Sequence, residues 1–182
     1  MARQTLSASI LLAVAAGLSI GSAQAQQTQV CQPMVPATTP TADFTLEGGT
    51  ALHQRTGLMW MRCSLGQQWS GGRCIGEASS YSWTGASSAV DQLNQQGGYA
   101  GYSDWRLPTR GELHSIVERR CLNPSINEQV FPATRQHWYW TGSEFEGDRR
   151  GYAWAVIFTR GYDSWSSEQL FQYPIRLVRD AR

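Results

Sequence analysis

The sequence predicts an α+β domain with a mainly antiparallel sheet. Three observations carry this. Short apolar and aromatic stretches recur from residue 44 to residue 179, each bounded by Gly, Pro or charged turns. Helical periodicity is confined to two segments, one from Thr84 to Gln95 and one opening at Thr109. Four cysteines are spread along the chain, as expected of long loops stapled by disulfides.

The N-terminus sets the compartment. Residues 1–25 have the build of a secretory signal: Arg3 gives a positive start, Ile10 to Ile20 is apolar or small, and Ala23, Gln24 and Ala25 form an A-x-A cleavage site. The apolar run is about half the roughly 20 residues a membrane-spanning helix needs. The expected mature protein starts at Gln26, is periplasmic or secreted, and has no membrane insertion after cleavage. Fifteen basic residues, all arginine, face fourteen acidic ones. Such a balance gives no basic footprint for nucleic acid. Arginine without lysine favours planar pairing with carboxylate, sulfate or phosphate.

In an oxidising compartment four cysteines imply two disulfides. Gly66, Gly71 and Gly72 allow the loop between Cys63 and Cys74 to fold back, so Cys63–Cys74 is the expected pair. Cys31 then tethers the arm to Cys121. The spacings fit no common zinc pattern, and His53, His114 and His137 are scattered. No metal and no cofactor are expected.

Residues 26–43 are rich in Pro and Thr and read as an extended arm rather than packed structure. The domain follows over 44–182. Phe44 to Leu46 is a short strand. Ala51 to His53 and Leu58 to Arg62 form a hairpin around Arg55, Thr56 and Gly57. Residues 63–82 read as a disulfide-closed Gly/Ser-rich loop. In the first helix Ala86, Ala89, Val90 and Leu93 fall on one face, and Gly97 and Gly98 stop it. The second helix has Thr109 as N-cap and Glu112 three residues on, a capping box. Pro108 keeps the preceding residue out of helix. Leu113, Ile116 and Val117 give it an apolar stripe, Arg119 and Arg120 fall in its last turn, and Cys121 anchors its end. Trp138 to Thr141 and Tyr152 to Phe158 are strands separated by a charged turn over 144–150. Gly161 opens a loop through Ser167, and Ile175 to Arg179 is the closing strand.

These pieces, in this order, carry a resemblance. The run from Arg55 to Arg62, Gly101 to Leu113 with Asp104, Trp105, Arg106, Leu107 and Pro108 at its centre, Pro124 to Asn127 leading to Phe131 and Pro132, Tyr139 to Ser143, the Ala153 to Phe158 strand with Gly161, and Ile175 to Arg179 together resemble the Lcl C-terminal domain family, named after a bacterial collagen-like adhesin. The similarity spans roughly Phe44 to Arg179. It implies a fold related to C-type lectin-like domains and formylglycine-generating enzymes, with first and last strands paired. In the adhesin, this domain is associated with sulfated glycans and surface attachment. No collagen-like Gly-x-y run occurs here.

Asp104, Trp105, Arg106, Pro108, Thr109 and Glu112 read as a structural knot: Asp104 capping the turn, Arg106 paired to a buried carboxylate, Glu112 closing the box. No catalytic set emerges. A carboxylate pair for glycoside hydrolysis has no fixed separation, and no Gly-x-Ser-x-Gly elbow exists. The acidic cluster Glu144, Glu146 and Asp148 reads as a solvated turn rather than a calcium site. Ligand contact is expected from Arg149, Arg150, Arg160, Tyr162 and Trp165, with guanidinium groups suited to sulfate or carboxylate. Packing under long loops competes with that role for the tryptophans. The expected function is a non-enzymatic, exported binding or adhesion module for acidic or sulfated glycans. A structural or assembly partner in an envelope protein complex is the alternative, and an enzyme of the formylglycine-generating type is a weaker one.

Overall fold

The computed structural model describes residues 28–147, 150–167 and 169–181. The signal segment, its cleavage site and Arg149 lie outside the described residues. In chain order the elements are β1 (Val30–Cys31), β2 (Phe44–Glu47), β3 (Thr50–His53), β4 (Leu58–Met61), β5 (Gln68–Ser70), β6 (Arg73–Ile75), β7 (Ser80–Tyr81), α1 (Trp83–Gln95), α2 (Arg110–Ser115), β8 (Cys121–Leu122), β9 (Trp138–Glu144), β10 (Tyr152–Ile157), β11 (Tyr162–Ser167), β12 (Tyr173–Pro174) and β13 (Val178–Asp180). All described strand pairs are antiparallel.

Two sheets form the frame. One has the order β13-β4-β3-β2 and the other β11-β10-β9. The last strand therefore lies beside β4, with Val178 opposite Trp60 and Asp180 opposite Leu58. On β9 and β10 the side chains alternate between two cores, as a strand period of two requires. Tyr139 and Val156 join Trp60, Leu113, Ile116 and Phe131 in one core, beneath α2 and the four-stranded sheet. Trp140, Ala153 and Ala155 join Ala86, Val90, Trp105 and Ile175 in the other, beneath α1. Trp60, Trp105 and Trp140 are fully buried or nearly so. Each contributes roughly 4–6 kcal/mol of apolar transfer.

Both expected disulfides are present, Cys31–Cys121 and Cys63–Cys74. The capping box also forms, with Thr109 Oγ1 accepting from the Glu112 N–H and Glu112 accepting from the Thr109 N–H. The 101–113 knot follows from this. The Trp105 indole is buried, donates to Tyr99 O, and its main chain is gripped by the Asn94 amide of α1. Arg106 bridges to Val178 on the outer side of β13, and its guanidinium meets Glu112 in a two-bond fork at 2.8 Å each. That fork holds the Glu112 carboxyl below its ordinary range. Asp104 reaches beyond its own turn. It pairs with Arg179 of β13 at 2.7 Å, so both charged residues flanking Trp105 clamp the last strand.

Several expectations are corrected. The arm is extended as expected but docked on the domain: Thr39 is buried, β1 pairs with β8, and Gln29 donates to Pro124 O and Ile126 O. Residues 63–82 contain the β5–β6 hairpin, where Cys74 faces Trp69, and strand β7. Helix α2 ends at Ser115 because the chain turns to pair Val117 with Ile126, which leaves Arg119, Arg120 and Cys121 outside it. The segment after Gly161 is strand β11 rather than a loop. Regular pairing at the C-terminus begins only at Val178. Gly161 has φ of +73°, and a Cβ there would meet Val117 Cγ1 at 2.4 Å, so the β10–β11 turn requires glycine.

Arg176 is a further finding. It is wholly buried and donates to Met61 O, Arg62 O and the Thr134 hydroxyl. Burial pushes its guanidinium down to about 10.

Candidate functional site

The outer face of β9–β10–β11 carries the chemistry that is not spent on the cores. Helix α2 covers the Val156 end of that face. Beyond it, Trp154 of β10 lies opposite Trp165 of β11. Phe145, one residue past β9, packs between them, 5.7 Å from the Trp154 ring and 5.3 Å from Trp165. Tyr152 meets Trp165 edge-on at 5.3 Å. Each ring has a neighbour, and none of the eight tryptophans is fully exposed. The packing role of the tryptophans is thus the one seen.

Arg110, the first residue of α2, lays its guanidinium 3.5 Å over the Trp154 ring and bonds through Nε to Asp163 Oδ2. Its main-chain N–H donates to Ser143 Oγ at 2.9 Å. His114 Nε2, one turn along, sits 3.5 Å from the other Asp163 oxygen. Burial opposes ionisation of Asp163, but the bond from Arg110 and the charges of Arg110 and His114 outweigh it and hold its pKa below the ordinary value. Asp163 is therefore a fixed anion and no proton donor at neutral pH.

The strip Ser143, Glu144, Phe145 and Glu146 separates two open hollows. One, about 360 Å3, is completed by Arg110 and Trp154. The other, about 390 Å3, is completed by Gly147 and Arg150. An apolar ring edge is thereby flanked by two carboxylates and two guanidinium groups.

The expected ligand residues divide. Arg150 lines the second hollow and Trp165 packs against Phe145 beside it. Tyr162 and Arg160 are exposed at the opposite end of the β10–β11 ribbon. Tyr162 is three residues from Trp165, about 10 Å along the strand. The four described residues, Arg150, Arg160, Tyr162 and Trp165, therefore do not form one site. Arg110, Ser143 and Phe145 were missed by sequence reading. Arg110 drew no notice because it follows an N-cap, and Phe145 because it lies in a charged turn.

Fold and site define a disulfide-stapled α+β domain of mainly antiparallel sheets with a mixed-charge aromatic surface. The chain belongs to the Lcl C-terminal domain family, whose model matches residues 49–179. Among curated proteins none matches it in sequence. Two disulfides are consistent with an extracellular location; among the described residues no helix is long and apolar enough to cross a membrane.

Proposed function

We propose that this is an exported, non-enzymatic binding module with a C-type lectin-like arrangement, and that its ligand is a glycan bearing isolated acidic groups. The observation that carries the reading is the Ser143–Glu146 strip: Phe145 offers an apolar edge to a sugar ring, and Arg150 stands beside it to meet a carboxylate or sulfate. Glu144 and Glu146 on the same walls disfavour densely sulfated chains and select where the acidic group falls. Arg110 is engaged with Asp163 and Trp154, so its role is to fix the surface. Pairing of the Leu58–Met61 strand, β4, with the last strand, β13, supports the lectin-like arrangement. Membership of an adhesin-derived family and the signal-like N-terminus support export and attachment.

A glycan array and heparin chromatography at low salt test this. Arg150→Ala is expected to lose most array binding while keeping the wild-type unfolding free energy within about 0.5 kcal/mol, as surface changes do; Phe145→Ala is expected to lose binding too, with a further stability cost from its packing on Trp154 and Trp165. Absence of wild-type binding to any acidic glycan would sink the reading. A second reading, a partner in an envelope protein complex, is favoured by Leu170 and Phe171, which stand 77% and 45% exposed side by side after β11. Capture from periplasm that is lost in Leu170→Ser/Phe171→Ser, with the array blank, would select it.

A further inference from the structure

The N-terminal arm is fastened to the body by polar contacts and one disulfide, with almost no apolar burial. Between Thr28 and Pro40 only Thr39 is buried, while Val30, Met34 and Val35 are exposed, Met34 at 92%. The fastenings include Gln29 to Pro124 O and Ile126 O at 2.7 Å each, the Gln32 N–H to Arg120 O at 2.9 Å, the Thr38 hydroxyl to Val117 O, the Asn127 amide to Thr39 O, and the Thr38 and Thr39 N–H groups on the Glu118 carboxylate. The arm lies along a hollow of about 590 Å3, with Gln29, Cys31 and Ala37 on its side and Glu118, Arg120 and Asn127 on the other.

The two disulfides differ in access. Cys63 and Cys74 are both buried. Cys31 is exposed on β1, directly opposite buried Cys121 on β8. Cys31 is thus the solvent-facing half of one bond, whereas both halves of the other are buried.

The geometry points to the Cys31–Cys121 bond as a site of thiol–disulfide exchange with an external dithiol, whose action unlatches residues 28–36 of the arm from the hollow. A thiolate of the dithiol attacks Cys31 Sγ, and the S–S bond breaks. Cys121 leaves as thiolate and takes a proton from water. The second thiol of the dithiol then attacks its own sulfur in the mixed disulfide and releases Cys31, which is protonated in turn. The dithiol ends as a disulfide and the two cysteines as thiols. Without the bond, residues 28–36 keep only a two-residue ladder and a few hydrogen bonds from Gln29 and Gln32, which do not offset the entropy of ordering them, while Thr38 and Thr39 stay on the buried Glu118 carboxylate.

The test uses the whole folded chain with both disulfides formed. It is titrated with dithiothreitol under native conditions, trapped with N-ethylmaleimide, mapped by peptide, and followed by hydrogen exchange on the selectively reduced, alkylated protein. Cys31–Cys121 is expected to open at least about tenfold faster than Cys63–Cys74. Exchange of the Gln32 amide is then expected to rise at least about tenfold, with the amides of Thr39, β4 and β10 unchanged. Equal reduction rates, or Cys63–Cys74 opening first, would overturn the site. Unchanged protection of Gln32, or loss of protection throughout, would overturn the latch. A Cys31→Ser/Cys121→Ser variant is expected to reproduce the exchange of the alkylated protein, which gives the answer by itself if the variant does not fold.

Discussion

Glu118→Gln probes the anchor of the arm without changing its shape. The Glu118 side chain is 2% exposed. Its Oε1 accepts from the Thr38 N–H at 3.1 Å, the Thr38 hydroxyl at 3.3 Å and the Arg120 N–H at 3.1 Å. Its Oε2 accepts from the Thr39 N–H at 3.0 Å and the Thr39 hydroxyl at 3.1 Å. A carboxylate accepts from all five; a carboxamide cannot. If the amide oxygen takes the Oε1 position, its NH2 faces the Thr39 N–H, in a place where Thr39 itself is 1% exposed. The threonine hydroxyls can rotate to accept, but the main-chain N–H cannot. One stranded buried donor costs about 1–3 kcal/mol, and reducing the remaining charge-assisted bonds to neutral ones costs about 1 kcal/mol more. The expected loss is about 2–4 kcal/mol, a large share of the 5–15 kcal/mol typical of a domain. The assay is urea unfolding with both disulfides intact, at pH 7 and then at falling pH. Burial opposes the Glu118 charge, but the donors on Thr39, Thr38 and Arg120 outweigh it, and its pKa lies below the ordinary 4.5. A depressed carboxyl pKa means stability that is full above 4.5 and is lost as pH falls through the folded-state value. The gap between wild type and Glu118→Gln therefore holds from pH 7 to about 4.5 and narrows below it. A gap under about 0.5 kcal/mol at pH 7, or one that does not narrow on acidification, would refute the anchoring role.

Two further substitutions test the frame. Thr109→Ala removes the hydroxyl that accepts from the Glu112 N–H and is expected to cost about 1 kcal/mol, read as a lower urea midpoint with an unchanged slope. Arg176→Met strips Met61 O, Arg62 O and Thr134 Oγ1 of a charged donor. Those bonds, at about 1.5–3 kcal/mol each, outweigh the desolvation recovered by removing the guanidinium, for a net loss of about 2–4 kcal/mol in the same assay. A Met variant as stable as wild type would mean that desolvation wins.

Local chemistry was legible in the sequence where one residue type does one job. Thr109 and Glu112 announced their box by spacing, Gly97 and Gly98 the stop of α1, and the glycines between Cys63 and Cys74 the disulfide that closes their loop. Long-range and half-buried features were not. Strand β11 hid because Ser164, Ser166 and Ser167 interleave with Asp163 and Trp165 on an edge strand with little apolar content. Helix α2 looked longer because Ile116 and Val117 continue its stripe, yet both are buried by contacts that also serve a non-helical chain. The docking of the arm on Glu118 joins residues 79 and 80 positions apart through polar atoms, and no periodicity reports such a contact. The candidate site suffered similarly: Arg110 and Asp163 meet 53 residues apart, so each alone read as a surface charge.

The placing of β13 beside β4 also dictates when the molecule can exist. Trp60, at the centre of the larger sheet, waits for Val178, and the knot at Asp104 and Arg106 waits for Arg179 and Asp180. A ribosome making about 5–20 residues per second therefore releases a chain whose first core has no lasting partner until synthesis reaches residue 180. Such a nascent polypeptide stays threadable until residues 178–180 have been made, so the strand order sets the earliest moment at which this core can close.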